Sequence, residues 1–290
     1  MNAVFDDDLL RLAYGGMAPR TVDRLLSTYG SPKAAVRAIE QGRTRASSRV
    51  REAVAVAADL RRAALEAGGI AFISENESGF PARIALYEGA PRFLFVLGKF
   101  SSRPSIGIVG TRTCTTYGTD LARAFGEVAA RVGWSVVSGL ARGIDGAAQQ
   151  GAVAEEGHCT AVLGSGVDVV YPRGHLDLYR SILSTQGVIC SEFPPGTPPE
   201  AWRFPTRNRI IAAMSDVLLV VEAGLKGGAL ITAGIAIEYG VPVYAVPGDV
   251  DRKASVGTNL LIRDGAFPIL GPDDLGEVLD LVAPIVRRAG

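Results

Sequence analysis

Glycine and a cation recur together where apolar runs end in this chain. Gly110-Thr111-Arg112 follows the run at 106–109, Gly139-Leu140-Ala141-Arg142 follows 134–138, and Gly224-Leu225-Lys226-Gly227-Gly228 follows 216–222. Glycine lets such a turn point backbone N–H groups outward, and a helix starting just beyond adds its positive dipole end, an arrangement that binds anions. Two readings stand for the first turn: an anion nest carrying Arg112, or an ordinary strand-to-helix turn whose arginine sits in a surface ion pair. In the second turn, Asp145 reads as a helix-start or loop-fixing carboxylate before it reads as a general base.

The densest chemistry lies over residues 191–209, with five prolines, three aromatics and three arginines. A long loop of this composition on a rigid scaffold marks a working segment. Phe193, Trp202 and Phe204 offer π-faces for bases or cover the edge of a core, and cover is expected for at least two. Arg203, Arg207 and Arg209, beside Asn208 and near the start of a helix containing Ile210 and Ile211, are placed to meet phosphates, although one of them can instead hold the loop through backbone carbonyls.

Other chemistries lack their residues. There is no GxxxxGK[ST], because Lys226 is followed by glycine, and no complete GxGxxG with an acidic partner downstream, so P-loop hydrolysis and dinucleotide binding are not expected. Cys114, Cys159 and Cys190 are widely spaced and only His158 and His175 accompany them, which disfavours a metal site. No nucleophile elbow or telling carboxylate pair is present. His175, after Pro172-Arg173-Gly174, reads as an exposed helix-start residue. Binding without turnover, and without a cofactor, is the economical expectation.

These groups sit in a chain of 290 residues, 48% hydrophobic and 21% charged, with 30 basic and 30 acidic side chains. A balanced molecule cannot act as a polycation, so contact with nucleic acid must be local. Four basic residues are lysines and 26 are arginines, the side chain whose planar fork suits phosphate oxygens. Three cysteines without a pairing pattern read as reduced thiols, and no apolar run approaches the ~20 residues of a membrane span. The expected location is the cytoplasm, without membrane contact.

The elements that must position these loops divide the chain. Residues 1–70 show apolar positions at helical spacing in four stretches, near 9–12, 22–26, 34–39 and 50–67, and Ser31-Pro32 reads as an N-cap with proline at the first helical position. This first part carries eleven basic and eight acidic residues. From about 71 to 282, short β-branched runs alternate with helical stretches. Near-continuous apolar strands imply burial on both faces and parallel crossovers. The fold class is α/β, a doubly wound, mostly parallel sheet preceded by a small all-α domain, with 283–290 as a tail.

The order and wording of the motifs then carry a resemblance. Gly110-Thr-Arg112 with Tyr117-Gly118, the stretch Ser138 to Asp145, Gly164-Ser-Gly-Val-Asp168 with Tyr171-Pro172, Ser191-Glu192, Phe204-Pro-Thr-Arg-Asn-Arg-Ile-Ile211, Ala245-Val-Pro-Gly248 and Gly257 to Ile262 with Gly265-Ala266 closely resemble the DprA/Smf family of DNA-processing proteins. The resemblance spans roughly residues 75–270. It implies an extended Rossmann-like domain that binds single-stranded DNA, protects incoming strands, dimerises and helps load the RecA recombinase in natural transformation, without catalysis. It likens the first helices to a SAM-like domain.

By the same resemblance Gly110, Thr111 and Arg112 belong to a DNA pocket. Gly139, Arg142, Phe204, Arg207, Asn208, Arg209 and Lys226 join them partly on their place along the rim. Leu260, Leu261 and Ile262 are the expected dimer surface. Three departures are visible: Ala148-Gln149 where relatives usually carry alanine-histidine, Thr111 where many carry serine, and an end at Gly290 without a winged helix. The enzymatic alternative is a nucleotide-processing protein of the phosphoribohydrolase kind. Its Pro-Gly-Gly-x-Gly-Thr-x-x-Glu signature is only partly echoed in residues 226–232.

Overall fold

A computed structural model describes residues 6–87 and 89–289, with backbone alone for 287–289. The first part folds into five helices: α1 (Asp7–Ala13), α2 (Pro19–Tyr29), α3 (Pro32–Glu40), α4 (Ser48–Ala55) and α5 (Ala58–Ala67). Asp6, Ser31 and Ser47 cap α1, α3 and α4 by accepting backbone N–H bonds, and Pro32 opens α3 as expected.

The stretch expected as one helix over 50–67 is instead broken, with Val56 and Ala57 extended. The reason lies in two side chains from elsewhere. Arg11 donates through Nε to the Val54 carbonyl at 2.8 Å, and Arg61 donates to the Ala53 carbonyl. These are the acceptors a continuing helix would have used, so α4 ends where the arginines satisfy them.

Among the described residues nine strands form one sheet: β1 (Ala71–Ser74), β2 (Phe93–Leu97), β3 (Ser105–Val109), β4 (Ser135–Ser138), β5 (Cys159–Val162), β6 (Val188–Ser191), β7 (Val217–Val220), β8 (Val243–Ala245) and β9 (Phe267–Pro268). Their spatial order is β1-β2-β6-β5-β4-β3-β7-β8-β9. All pairings are parallel except β1–β2 and β2–β6. The connecting helices are α6 (Thr116–Arg131), α7 (Ile144–Ala154), α8 (Leu176–Ser184), α9 (Arg203–Met214), α10 (Gly228–Glu238), α11 (Val256–Arg263) and α12 (Pro272–Ala289). This is the expected α/β class. Strands β1 and β9 were not legible because each is short and pairs along one side only.

Both sheet faces are buried with period two. Ile106, Ile108, Val217 and Leu219 point into a core shared with α6, α7 and α12, while Val109, Leu218 and Val220 join α9 and α10 on the other side. The helical part is welded to the first of these cores. Leu9, Leu10, Ala13 and Val22 belong to the same cluster as Phe93 and Phe95, and Tyr14 meets Phe95 edge-on at 5.7 Å. The expected boundary at 282 is not a break. Helix α12 continues through it, and Val282, Ala283 and Val286 pack on the core; Gly290 lies outside the described residues.

Strand order fixes where a ligand can enter. From β3 the chain moves through β4, β5 and β6 on one side, and β7, β8 and β9 continue from β3 on the other. The crossovers therefore diverge between β3 and β7, and a crevice opens beyond the carboxyl ends of the central strands.

Candidate functional site

A cleft of about 660 Å³ lies at that divergence. The loop after β3 supplies Gly110, Thr111, Arg112 and Thr113, the loop after β4 supplies Ala141 and the start of α7 Asp145, and the loop after β7 supplies Gly224, Lys226 and Gly227, followed by Gly228 at the start of α10. Helix α9 closes one wall with Phe204, Arg207 and Asn208. Thus Gly110, Thr111, Arg112, Phe204, Arg207, Asn208 and Lys226 are brought together.

Gly139, Arg142 and Arg209 are placed differently. Gly139 lies beneath the Arg207 guanidinium rather than on the wall, and its carbonyl accepts from Arg207 Nη2 at 3.1 Å. Arg142 is exposed in its loop, outside the cleft lining. Arg209 faces away: its Nη2 contacts both carboxylate oxygens of Glu192 at 2.8 Å and its Nε donates to the Gly89 carbonyl at 2.7 Å. Burial pushes the Glu192 carboxyl up, and Arg209 opposes that shift. Arg209 is consumed in holding α9 against the segment before β2.

The expectation of a loop running to Arg209 also changes. Helix α9 begins at Arg203, with Pro205 in its first turn, where a missing N–H costs no helical bond. Arg207 and Asn208 therefore project from a regular helix, which fixes them better than a loop. Arg203 is the arginine that secures the preceding loop: it donates to the Pro198 carbonyl, pairs with Glu200 at 3.0 Å and lies 5.2 Å from the Phe193 ring. Phe193 is buried and meets Trp202 edge-on, so these two aromatics serve as cover while Phe204 faces the cleft.

The glycine turns themselves bind inward. The Thr111 N–H donates to the Glu222 carbonyl at 2.8 Å, and the Gly139 N–H to Asp145 Oδ2 at 3.1 Å. These two backbone donors are turned into the fold rather than toward the cleft. The charge of the site comes instead from side chains and from α10, whose first residues Gly228 and Ala229 open onto the cleft without a side-chain cap. Asn208 steers that helix end by donating to the Gly228 carbonyl at 3.2 Å.

Arg112 is in no ion pair among the described residues; its guanidinium stacks 4.7 Å over the Phe204 ring, which in turn lies 5.5 Å from the Tyr171 ring. Arg207 is only 3% exposed. Its Nε and Nη1 have no hydrogen-bond partner among the described residues, although it lines the cleft. Burial lowers its pKa to about 10, with Asp145 opposing, so it stays charged at neutral pH. Burial raises Asp145, against the pull of Arg207, the Gly139 N–H and Arg112. Both Arg207 nitrogens are themselves enclosed, so Arg207 contributes its positive charge to the cleft wall alongside Arg112 and Lys226, which suits an oxyanion.

Sequence reasoning missed Glu222 and Tyr171. The Glu222 carboxylate accepts from the Thr115 N–H at 2.9 Å and from the Thr115 hydroxyl at 2.6 Å, holding the start of α6. Its position directly after an apolar strand was the available signal. Gln149 stands where relatives usually carry histidine. It is fully buried, accepts from the Leu140 N–H at 3.2 Å and donates to the Thr160 carbonyl at 3.3 Å. His175 is half-buried rather than exposed, with Nδ1 3.0 Å from the Leu140 carbonyl.

Comparison with known proteins agrees with this architecture. The family model described as DNA recombination-mediator protein A matches residues 71–280. Protein Smf of Escherichia coli is 40% identical over 209 residues, 71% of this chain and 56% of its own length. DNA processing protein DprA of Bacillus subtilis is 37% identical over 220 residues, 75% of this chain and 74% of its own. The chain spans about half the length of the curated Smf relatives from Escherichia coli and Synechocystis. The X-ray structure of DprA from Streptococcus pneumoniae superposes with a TM-score of 0.75 at 28% identity, covering 92% of this chain and 95% of that one. DprA from Helicobacter pylori, solved to describe its single-stranded DNA binding mode, gives 0.63 at 25% identity over 72% of this chain and 95% of that one. On the match over 71–280 and these shared sequences, the protein belongs to the DprA/Smf family of DNA-processing proteins.

Proposed function

We propose that the cleft binds single-stranded DNA, and that the protein acts by holding the strand without turning it over. The observation that carries this reading is the convergence of Arg112, Arg207, Lys226 and the start of α10 on one cleft. Phosphates meet the cations and the helix end, and a base can stack at Phe204 or Tyr171. The Helicobacter pylori relative, studied for its single-stranded DNA binding, supports the same ligand.

Among the described residues the cleft lining holds one carboxylate, Asp145, and one of its oxygens is already fixed by the Gly139 N–H. That supports binding over phosphoribohydrolase-like chemistry, which needs a free acid or base. In this proposal the strand is protected and handed to the RecA recombinase, with two copies sharing it. Leu260, Leu261 and Ile262 on α11 are half-buried, and next to them the sheet edge exposes Phe267 by 60% and Leu270 by 77%. That apolar edge is the proposed dimer surface. No helix among the described residues is long and apolar enough to cross a membrane.

The deciding experiment is oligo(dT) binding across a salt series for wild type and Arg112→Ala, alongside incubation with nucleoside monophosphates. Tight, salt-sensitive binding lost in the variant, with no free base released, is the expected result. Release of base, or unchanged affinity in the variant, overturns the reading.

A further inference from the structure

The helical part carries a charge imbalance that the cleft does not use. Residues 20–51 contain eight cations, all exposed: Arg20 and Arg24 on α2, Lys33 and Arg37 on α3, Arg43 and Arg45 in the following loop, and Arg49 and Arg51 on α4. The same stretch holds two carboxylates, and both are occupied by other partners, Asp23 by Arg92 at 3.1 Å and Glu40 by Arg11. None of the eight cations is in an ion pair among the described residues. The next acid along the chain is Glu52. A net charge of +6 is thus concentrated in 32 residues of a chain whose total is zero.

Such a surface works against the fold's own stability. Arg20 and Arg24, and likewise Lys33 and Arg37, are four apart on a helix, where like charges repel. The loop between α3 and α4 is nonetheless held in place, since Arg51 donates to the Ala46 carbonyl at 2.9 Å and the Tyr29 hydroxyl donates to the Arg43 carbonyl at 3.3 Å. Its cations are displayed on ordered backbone. Seven of the eight are arginines, whose forks fit phosphate oxygens two at a time.

Position ties this surface to the cleft. Ala201 and Phe204 line the cleft, and Trp202 and Arg203 line a small cavity shared with Pro19 and Val22 of α2. Arg20 follows Pro19 directly and Arg24 lies one turn further on. A strand leaving the cleft over residues 201–204 would meet the first turns of α2, where Asp23 is paired with Arg92 and Arg20 and Arg24 are exposed and in no ion pair among the described residues.

We propose that the exposed face of α2, α3, α4 and their loop is a second binding surface, which takes the phosphodiester backbone of a single strand as it leaves the cleft. The inference rests on the cleft being a single-strand site. It assigns the helical part a backbone-tracking role without base preference, set by charge alone.

The test compares oligo(dT) of about 6 nucleotides, enough to fill the cleft, with oligo(dT) of about 25, on the full chain carrying Arg20→Ala, Arg24→Ala, Arg43→Ala and Arg45→Ala. The short oligonucleotide should bind as to wild type. The long one should bind about tenfold more weakly, with a salt slope shallower by about 3. Equal affinity of variant and wild type for the long strand overturns the proposal. The corresponding four Arg→Lys changes keep the charge and guard against a folding artefact; their salt slope should equal that of wild type, and a slope as shallow as the alanine variant's overturns a charge-based contact. Arg112→Ala in the same titration separates the two readings. Weakening of both lengths supports the cleft, whereas an unchanged short oligonucleotide defeats the cleft while the four-site result is read independently. Retained oligonucleotide binding with lost binding to anionic phospholipid vesicles reassigns the surface to a membrane and also overturns the proposal.

Discussion

The Arg112 guanidinium lies 4.7 Å over the ring of Phe204, so the loop after β3 and the second residue of α9 form one continuous wall of the cleft. Stacking costs the arginine none of its charge and keeps that charge on the cleft wall. Removing either partner should therefore be felt in binding and hardly in folding.

Arg112→Ala is expected to weaken oligo(dT) binding by about 1.5–3 kcal/mol, the range for a charged hydrogen bond, and to flatten the salt slope by about 0.7. Phe204→Leu keeps apolar bulk but loses the π-face. A loss of about 1–3 kcal/mol with an unchanged salt slope is expected there. Fluorescence anisotropy at several salt concentrations separates the two effects.

Gly139→Ala should injure both folding and binding. A Cβ at this position collides with the guanidinium of Arg207, which is buried and cannot swing into solvent. Overpacking of this kind costs about 1–3 kcal/mol, and displacing Arg207 shifts its charge within the cleft wall. Thermal melting and oligonucleotide titration should both shift. A variant melting like wild type and binding normally would show that Arg207 has room to move.

His158 sets a low-pH limit on stability. It is buried, with Nδ1 2.7 Å from the Ser135 hydroxyl, and burial lowers its pKa from the ordinary 6.5. The unfolded chain then binds the proton more readily than the folded one. Stability from this group is complete above about pH 6.5 and falls as pH drops toward the folded pKa, by at most about 1.4 kcal/mol per pH unit. Chemical denaturation from pH 7.5 downward should show the decline, and His158→Asn should remove that part of it.

The cysteines should divide sharply toward a thiol reagent. Burial pushes Cys159 and Cys190 up to about 12, which leaves them protonated and inaccessible, while Cys114 is half-buried beside the Thr119 hydroxyl. One fast-reacting thiol in the native protein and three after denaturation are expected from Ellman titration.

Much of the architecture was legible because β-branched runs such as 216–222 and the stretches between them carry their own periodicity. The break at Val56 was not legible, since nothing local marks it and the arginines that create it come from positions 11 and 61. The site divides the same way. Glycine turns and cations could be read one at a time, but which cations share the cleft depends on tertiary partners. Arg207 and Arg209 are two residues apart on α9, and Glu192 captures one while the other lies in the cleft wall. The outward N–H groups expected of the turns were claimed by Glu222 and Asp145, neither of which announces that role in sequence.

Glu222 joins what the strand order separates. Its carbonyl holds Thr111 and its carboxylate holds Thr115, so the loops on opposite sides of the divergence are stapled by a single residue. That staple fixes the spacing of two of the groove's walls. Under the proposed function it favours a pliant ligand, since a double helix resists bending over about 150 base pairs whereas a lone strand can follow a narrow, cornered passage.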